Sequence, residues 1–200
     1  MSARDRILTR VRRNSVPAPE HARVQPAQGA ASNPIAQFTA QAEKVHASVS
    51  HIASMDDLPS ALADELRNRN LPAAIRTGSD PAFQRDWGTL EHSTGPGRIA
   101  EPATLTRAEF AMAETGSLIF ASGPDNPVTL NFLGETHFAV VQASDVKGGF
   151  EEVFSAWRER GLTPRTTNFV TGPSRSADIG QTLQLGAHGP VALHIFIVGE

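Results

Sequence analysis

The chain has 200 residues, of which 40% are hydrophobic and 20% are charged, and its formal net charge at pH 7 is -3. A chain of this size can bury one substantial core, and its weak net charge gives no field that would attract nucleic acid or an anionic membrane. The sequence contains no cysteine, which excludes disulfides, thiolate nucleophiles and cysteine-ligated iron-sulfur or zinc centres.

The first 34 residues differ in composition from the rest of the chain. Residues 3–13 place Ile7, Leu8 and Val11 on one side of a short basic helix, which we interpret as a docking helix. Residues 14–34 are rich in Pro, Ala, Gln and Ser and predict an extended linker. The arginine-rich start lacks the apolar centre of a secretory signal, and no apolar run approaches the length of a membrane helix. We therefore expect a cytoplasmic protein with a compact domain over residues 35–200.

Helical and strand patterns alternate after the linker. Helical spacing over residues 35–45 and 55–68 alternates with the apolar segments SVSHIA and LPAAIRTG, which predict strands. Thr106 is predicted to be the N-cap of a helix over residues 107–114, RAEFAMAE. Later segments predict a strand, a helix and two further strands: HFAVVQA, FEEVFSAWRERG, TTNFVTG and ALHIFIV. This alternation predicts an α/β fold with an open, mostly parallel sheet and helices on both faces.

The segment TGPSRSADIG, residues 171–180, concentrates hydrogen-bonding side chains at one turn between apolar segments. Ser174, Ser176 or Asp178 is expected to cap or open a helix. The free N–H groups of such a helix could bind a small anion, with Arg175 as a charged donor. The alternative is that these residues only cap the helix and hold the turn.

Two more segments offer candidate catalytic groups. Glu114 precedes Gly116, where the backbone can turn sharply into a strand, and its carboxylate could act as a nucleophile, as a general base or as an acceptor for backbone N–H groups. Ser117 fits a hydrogen-bonding role in the same turn. His188 lies in the glycine-rich loop GAHGP, where it could act as an acid or base or anchor the loop.

The polar segment DNPVTLNFLGETH, residues 125–137, could present Asn126, Thr129 and Asn131 to a ligand. His194 occupies an alternating strand position and is expected to pack inside the fold. The sequence has no HExxH metal motif, no phosphate-binding P-loop, no dinucleotide-binding glycine motif and no GxSxG elbow. Known motifs therefore assign no reaction to these residues.

Four segments in order resemble the LUD-domain family, which includes lactate utilization protein C: FAMAETGSLIF, DNPVTLNFLGETHFAVV, NFVTGPSRSADI and GAHGPVALHIFIV. The resemblance covers residues 36–200 and is densest after Leu105. It implies a fold like that of glucosamine-phosphate deaminase, ribose-phosphate isomerase and the CoA-transferases. It also implies a role in oxidising L-lactate to pyruvate, as an accessory, non-redox subunit of an L-lactate dehydrogenase complex whose partners carry iron-sulfur clusters. No cofactor or metal of its own is expected.

The resemblance also directs attention to particular residues. The candidate catalytic residues are Glu114 and His188. The candidate residues for binding a small anionic ligand are Gly116, Ser117, Asn131, Gly172, Ser174, Arg175 and Asp178. We expect residues 171–180, Glu114 and His188 to line one cleft at the carboxyl edge of the sheet, where ligands bind in open α/β folds.

The chain departs from the family pattern at three places: Gly134 replaces a common Pro, residues 126–127 lack a frequent Arg, and Gly180 replaces a frequent Glu. These departures affect any mechanism that needs that Arg or that Glu. The alternative function is a stand-alone enzyme or sensor for a small phosphorylated or CoA-linked metabolite, which the implied fold favours.

Overall fold

The structure is a computed structural model that describes residues 2–15, 33–99, 101–176 and 184–199. The helices in these ranges are α1 (Ala3–Asn14), α2 (Pro34–Lys44), α3 (Leu58–Asn68), α4 (Val128–Phe132) and α5 (Phe150–Glu159). The strands are β1 (Ser48–Ile52), β2 (Ala74–Thr77), β3 (Glu91–Thr94), β4 (Ala103–Arg107), β5 (Phe110–Met112), β6 (Ser117–Ala121), β7 (Thr136–Gln142), β8 (Val146–Lys147), β9 (Thr167–Val170), β10 (Arg175–Ser176), β11 (Gln184–Leu185) and β12 (Ala192–Val198).

Six strands form the main sheet, in the order β1-β12-β7-β4-β2-β3, and every neighbouring pair is parallel. Successive side chains of β7 point to opposite faces, so Phe138 and Val140 belong to one hydrophobic layer and Ala139 and Val141 to the other. Both faces are buried, as is usual for a parallel sheet. The predicted open α/β class is confirmed.

Helices cover both faces of the main sheet. Helix α3 buries Leu58, Leu62 and Leu66 against one face, because leucines four residues apart lie on one side of a helix. Helix α2 buries Phe38 and Ala42 against the other face. All twelve residues of α1 are described and none of them is buried.

A second sheet, which the sequence analysis did not predict, packs on the same face as α2. Its strand order is β8-β5-β6-β9. Leu118 and Phe120 of β6 join the layer between the two sheets, whereas Ile119 faces outward and packs with Val153 of α5. The chain is thus layered as helix, sheet, sheet and helix, with α2 beside the second sheet.

The prediction of a helix over residues 107–114, capped by Thr106, is wrong. Residues 103–107 form β4 between β2 and β7, and residues 110–112 form β5 of the second sheet. Pairing with two neighbouring strands and burial of Leu105 and Thr106 outweigh the helical propensity of this alanine-rich segment.

The prediction that residues 171–180 open a helix is wrong for the residues that the structure describes. Arg175 and Ser176 form β10, which pairs antiparallel with β11. The N–H of Ser174 donates to the carbonyl of Pro190 at 2.8 Å, so it is not a free helix-terminal donor. Asp178 and Gly180 lie outside the described residues, as does most of the predicted linker.

A helix needs about 20 apolar residues to span a bilayer. The described part of the chain contains no helix of that length and character.

Candidate functional site

A cavity of about 210 Å³ lies between the two sheets. His137 and Leu193 line it from the main sheet, residues 131–132 from the end of α4, residues 169–174 from the end of β9, and residues 188–190 from the loop before β12. His137 and Leu193 are the second residues of their strands, so the cavity lies at the amino ends of β7 and β12. The expected position at the carboxyl edge is therefore wrong, because the exit of β9 approaches the opposite edge.

Four of the residues predicted from the sequence line this cavity: Asn131, Gly172, Ser174 and His188. Ser174 is the link between two of its walls. Its Oγ accepts a hydrogen bond of 3.3 Å from the backbone N–H of His188, and its N–H is bound to Pro190. The side chain predicted to cap a helix instead fixes the loop that presents the imidazole of His188.

Gly172 and Gly116 both have positive φ angles, of 72° and 69°, and both pack against α2 or its end. A Cβ on Gly116 would lie 2.5 Å from the backbone nitrogen of Ala42, and one on Gly172 would overlap the carbonyl oxygen of Val45. Glycine is therefore required at both positions for conformation and for space. Gly116 packs against α2 and is not among the residues that line the cavity.

Ser117 also contributes from outside the cavity. Its hydroxyl is 2.6 Å from that of Thr171, which lines the cavity, and 2.6 Å from that of Thr115. This chain of three hydroxyls ties the start of β6 to the end of β9. It holds the wall in place, which is the turn-bonding role predicted for Ser117.

Glu114 and Arg175 are not among the described residues that line the cavity. Glu114 is exposed in the turn after β5, where its N–H donates to the carbonyl of Gly148 at 2.9 Å. Its carboxylate lies beside Gly149, at the N-terminus of α5, where negative charge is favourable. Arg175 is exposed in β10. Neither residue therefore lines the cavity with His188.

His137 is the lining residue that the sequence analysis did not single out. It is 1% exposed, and its Nε2 lies 2.7 Å from Oγ1 of Thr106 on the neighbouring strand. Its Nδ1 has no hydrogen-bond partner within the described residues, and neither has Oδ1 of Asn131, which is also 1% exposed. Both residues contribute to the cavity wall, but these two atoms are themselves inaccessible to solvent.

Burial lowers the pKa of His137 to about 3. The imidazole is therefore uncharged at neutral pH. No carboxylate, lysine or arginine occurs among the described residues that line the cavity. The described walls can therefore offer hydrogen bonds and apolar contact.

The mouth of the cavity adjoins an exposed aromatic cluster. Phe169, which lines the cavity, packs against Phe150 and Phe154 of α5, with ring centroids 5.8 and 6.3 Å away. The three side chains remain 39%, 42% and 44% exposed. Contiguous exposed apolar surface of this kind is typical of contact with another molecule.

A second buried polar group lies on the opposite face of the main sheet. The two ring nitrogens of His194 lie 2.8 Å from Oγ of Ser48 and 3.0 Å from Oγ of Ser50. Burial, together with Arg69, lowers the pKa of His194 to about 4, against the opposing effect of Glu65. Both ring nitrogens are paired, which fits the structural role expected for this histidine. In the described part of the chain, no three metal-ligating side chains converge.

The fold and the cavity define an open, parallel α/β protein with a second β-layer over one face. Its fold is similar to that of a DUF162 family protein from Deinococcus radiodurans, with a TM-score of 0.63 and 24% sequence identity, over 83% of this chain and 96% of that one.

The family model of the LUD domain matches residues 102–198, which are just under half of the chain. This range contains the whole lining of the cavity. It also contains all four segments on which the resemblance was based.

Lactate utilization protein C from Anoxybacillus flavithermus is 32% identical over 96 residues, which are 48% of this chain and 43% of that protein. The chain therefore spans less than half the length of this relative. Lactate utilization protein C from Halalkalibacterium halodurans is 26% identical over 178 residues, which are 80% of this chain and 76% of that protein.

Proposed function

We propose that this protein is an accessory component of an L-lactate utilization system, in which it acts with iron-sulfur proteins that oxidise lactate to pyruvate. The observation that carries the proposal is the similarity to proteins named lactate utilization protein C. The chain has no cysteine with which to hold an iron-sulfur cluster, so the electrons would pass through its partners. A cytoplasmic location is part of the proposal, and cell fractionation tests it.

The cavity is the part of the molecule that would serve this role, through Asn131, Gly172, Ser174 and His188. A catalytic role for Glu114 draws no support from its position, because its carboxylate lies at the start of α5. The exposed position of Arg175 makes it a candidate for contact with a partner rather than with a buried ligand.

Growth on L-lactate as sole carbon source tests the proposal. Deletion of the gene, in a strain with no duplicate, should abolish this growth, and the wild-type gene should restore it. Unimpaired growth of the deletion strain would overturn the proposal. Complementation with Asn131→Leu should fail although the protein accumulates, whereas Glu114→Gln, the matched change outside the cavity, should restore growth. If Glu114→Gln fails and Asn131→Leu succeeds, the site has been assigned to the wrong residues.

The aromatic cluster of Phe150, Phe154 and Phe169 is the surface on which we expect the iron-sulfur partner to dock. The cluster is exposed and adjoins the mouth of the cavity. The variant Phe154→Ser should lose co-purification with the partner. Leu133→Ser, which alters another exposed apolar side chain, is the control and should retain it. Loss in both variants, or in neither, would remove the cluster from the proposal.

The second candidate is a stand-alone enzyme or sensor that binds a small metabolite, and the cavity between the two sheets favours it. A phosphorylated or CoA-linked ligand is the less suitable choice, because neither Lys nor Arg lines the described part of the cavity. Two results together would select this candidate. The purified protein should show saturable binding or turnover, and growth on L-lactate should not depend on the gene.

A further inference from the structure

Two exposed apolar surfaces of the protein lie on separate elements. The first is the aromatic cluster of Phe150, Phe154 and Phe169, whose ring centroids are between 5.8 and 6.3 Å apart. The second is a stripe on α1 formed by Ile7 and Val11, which are 63% and 60% exposed. Side chains four residues apart on a helix are about 5–6 Å from each other, so the stripe matches the spacing of the aromatic rings.

The charges around the two surfaces are opposite in sign. Helix α1 carries five arginines and a single carboxylate, that of Asp5, within its twelve residues. At the start of α5, the exposed carboxylates of Glu114 and Glu151 both lie next to Gly149. This acidic group directly precedes Phe150 of the cluster. A basic helix with an apolar stripe is therefore complementary to the cluster in charge as well as in spacing.

The order of charges along the two helices favours an antiparallel arrangement. The acidic residue of α1 is in its first turn, and two of its arginines are in its last turn. Helix α5 has the same order, with Glu151 and Glu152 in its first turn and Arg158 in its last. Antiparallel packing places each acidic end beside a basic end and also pairs the helix dipoles favourably. In this orientation Ile7 lies opposite Phe154.

Helix α1 has no burial on its own chain, since none of its twelve residues is buried. The apolar stripe is therefore available to another molecule, and a second copy of this chain presents the complementary cluster. We propose that two copies of this chain exchange their N-terminal helices, so that α1 of each copy packs antiparallel on the aromatic cluster of the other. Two equivalent contacts related by a twofold axis form a closed dimer.

The exchange has a consequence for access to the cavity. Phe169 belongs to the cluster and also lines the cavity, so a helix docked on the cluster lies at the mouth of the cavity. The inference does not depend on the role in lactate utilization, because it concerns the purified chain alone. In the complete system, the iron-sulfur partner proposed above would compete with α1 for the cluster.

The absence of cysteine from the chain makes disulfide cross-linking a direct test. The variant Ile7→Cys is mixed with a size-tagged Phe154→Cys variant, and the mixture is oxidised mildly. The mixed covalent dimer should form in preference to both homodimers. The matched control is Thr9→Cys, because Thr9 is exposed on the opposite side of α1 from Ile7. It should give little mixed dimer with the same Phe154→Cys variant.

The oligomeric state provides a second readout without cysteines. Sedimentation velocity of the full chain should show a monomer–dimer equilibrium as the protein concentration is raised from about 1 to about 100 µM. Val11→Ser should weaken the dimer by at least about tenfold, because it removes apolar contact at the centre of the interface. Leu133→Ser, which alters an exposed apolar side chain outside the cluster, should leave the dimer unchanged. Added salt should also weaken the dimer, because it screens the charges around the two surfaces.

Three results would overturn the proposal. The first is a wild-type chain that remains monomeric at about 100 µM. The second is a double variant, with Ile7→Cys and Phe154→Cys in one chain, that oxidises to an internally linked monomer, which would place α1 on its own chain. The third is a dimer that Val11→Ser leaves intact, which would place the interface elsewhere. None of these results bears on growth on L-lactate, so the two proposals can fail separately.

Discussion

Thr106 and His137 form a buried hydrogen-bonded pair across two neighbouring parallel strands, with 2.7 Å between Oγ1 and Nε2. The bond fixes the plane of the imidazole, since one ring nitrogen is held by the main sheet. The ring also packs against Phe120 of the second sheet, with 5.6 Å between centroids. His137 is therefore positioned by both sheets at once.

The first prediction concerns the stability of the protein against pH. The pKa of His137 is about 3 in the folded chain and about 6.5 when the chain is unfolded. Between these values the unfolded state binds more protons, so the free energy of unfolding falls as the pH falls. Between pH 7 and pH 5 the free energy of unfolding, measured with urea, should therefore fall by about 2 kcal/mol less in His137→Gln than in the wild type.

The histidine on the other face provides the control for this effect. The pKa of His194 is also lowered, to about 4. His194→Gln should therefore reduce the fall in the free energy of unfolding between pH 7 and pH 5 by a similar amount. The double variant should show both reductions, because the two side chains lie on opposite faces. An equal loss of stability in the wild type and all three variants would contradict the assignment of neutral, buried imidazoles.

The second prediction is that removing a polar group will stabilise the protein. Oδ1 of Asn131 is buried without a partner among the described residues, so Asn131→Leu should raise the free energy of unfolding by about 1 kcal/mol. Thr104→Val is the contrasting variant, because the hydroxyl of Thr104 donates to the carbonyl of Leu130 at 2.7 Å. It should lower the free energy by about 1 kcal/mol. Destabilisation by both variants would show that Asn131 has a structural partner.

The third prediction concerns the backbone of the cavity wall. Gly172→Ala should destabilise the protein by several kcal/mol, on the order of 2–4, because the new methyl group would overlap the carbonyl of Val45 at a positive φ. Gly161→Ala is the matched control, with a positive φ of 62° and no atom within 4 Å of the added Cβ. It should cost about 1 kcal/mol, from conformational strain alone. Equal costs in thermal or urea unfolding would show that contact with α2 is unimportant.

The fourth prediction concerns the N-terminal helix. Because no residue of α1 is buried, removal of residues 1–32 should leave the thermal unfolding midpoint nearly unchanged. The same truncation is informative in cells, where α1 is predicted to dock on a partner. If the truncation lowers the unfolding midpoint of the purified protein by more than a few degrees, residues 1–32 contribute to the core.

The parallel sheet could be predicted because its strands are short apolar runs between helical segments. Such runs, for example HFAVVQA and ALHIFIV, are buried on both faces and need no information from elsewhere in the chain. The second sheet could not be predicted in this way. Its strand β5 has three residues, and it becomes a strand only because β6 and β8 pair with it.

The candidate site was predictable in part. Asn131, Gly172, Ser174 and His188 belong to polar or glycine-rich loops, which stand out between apolar segments. His137 does not stand out, because a histidine beginning an apolar strand resembles an ordinary edge residue. Thr106 was misread for a similar reason, since threonine suits both a helix cap and a strand. Only the register of β4 beside β7 brings the two together.

The close packing of Gly116 and Gly172 against α2 has a mechanical consequence. At both contacts the nearest atom is a backbone atom, which cannot move aside by a change of rotamer. A displacement of α2 by about an ångström must therefore be passed directly to the turn after β5 and to the wall of the cavity. Helix α2 begins at Pro34, so a partner that moves the start of this helix would also move the cavity wall.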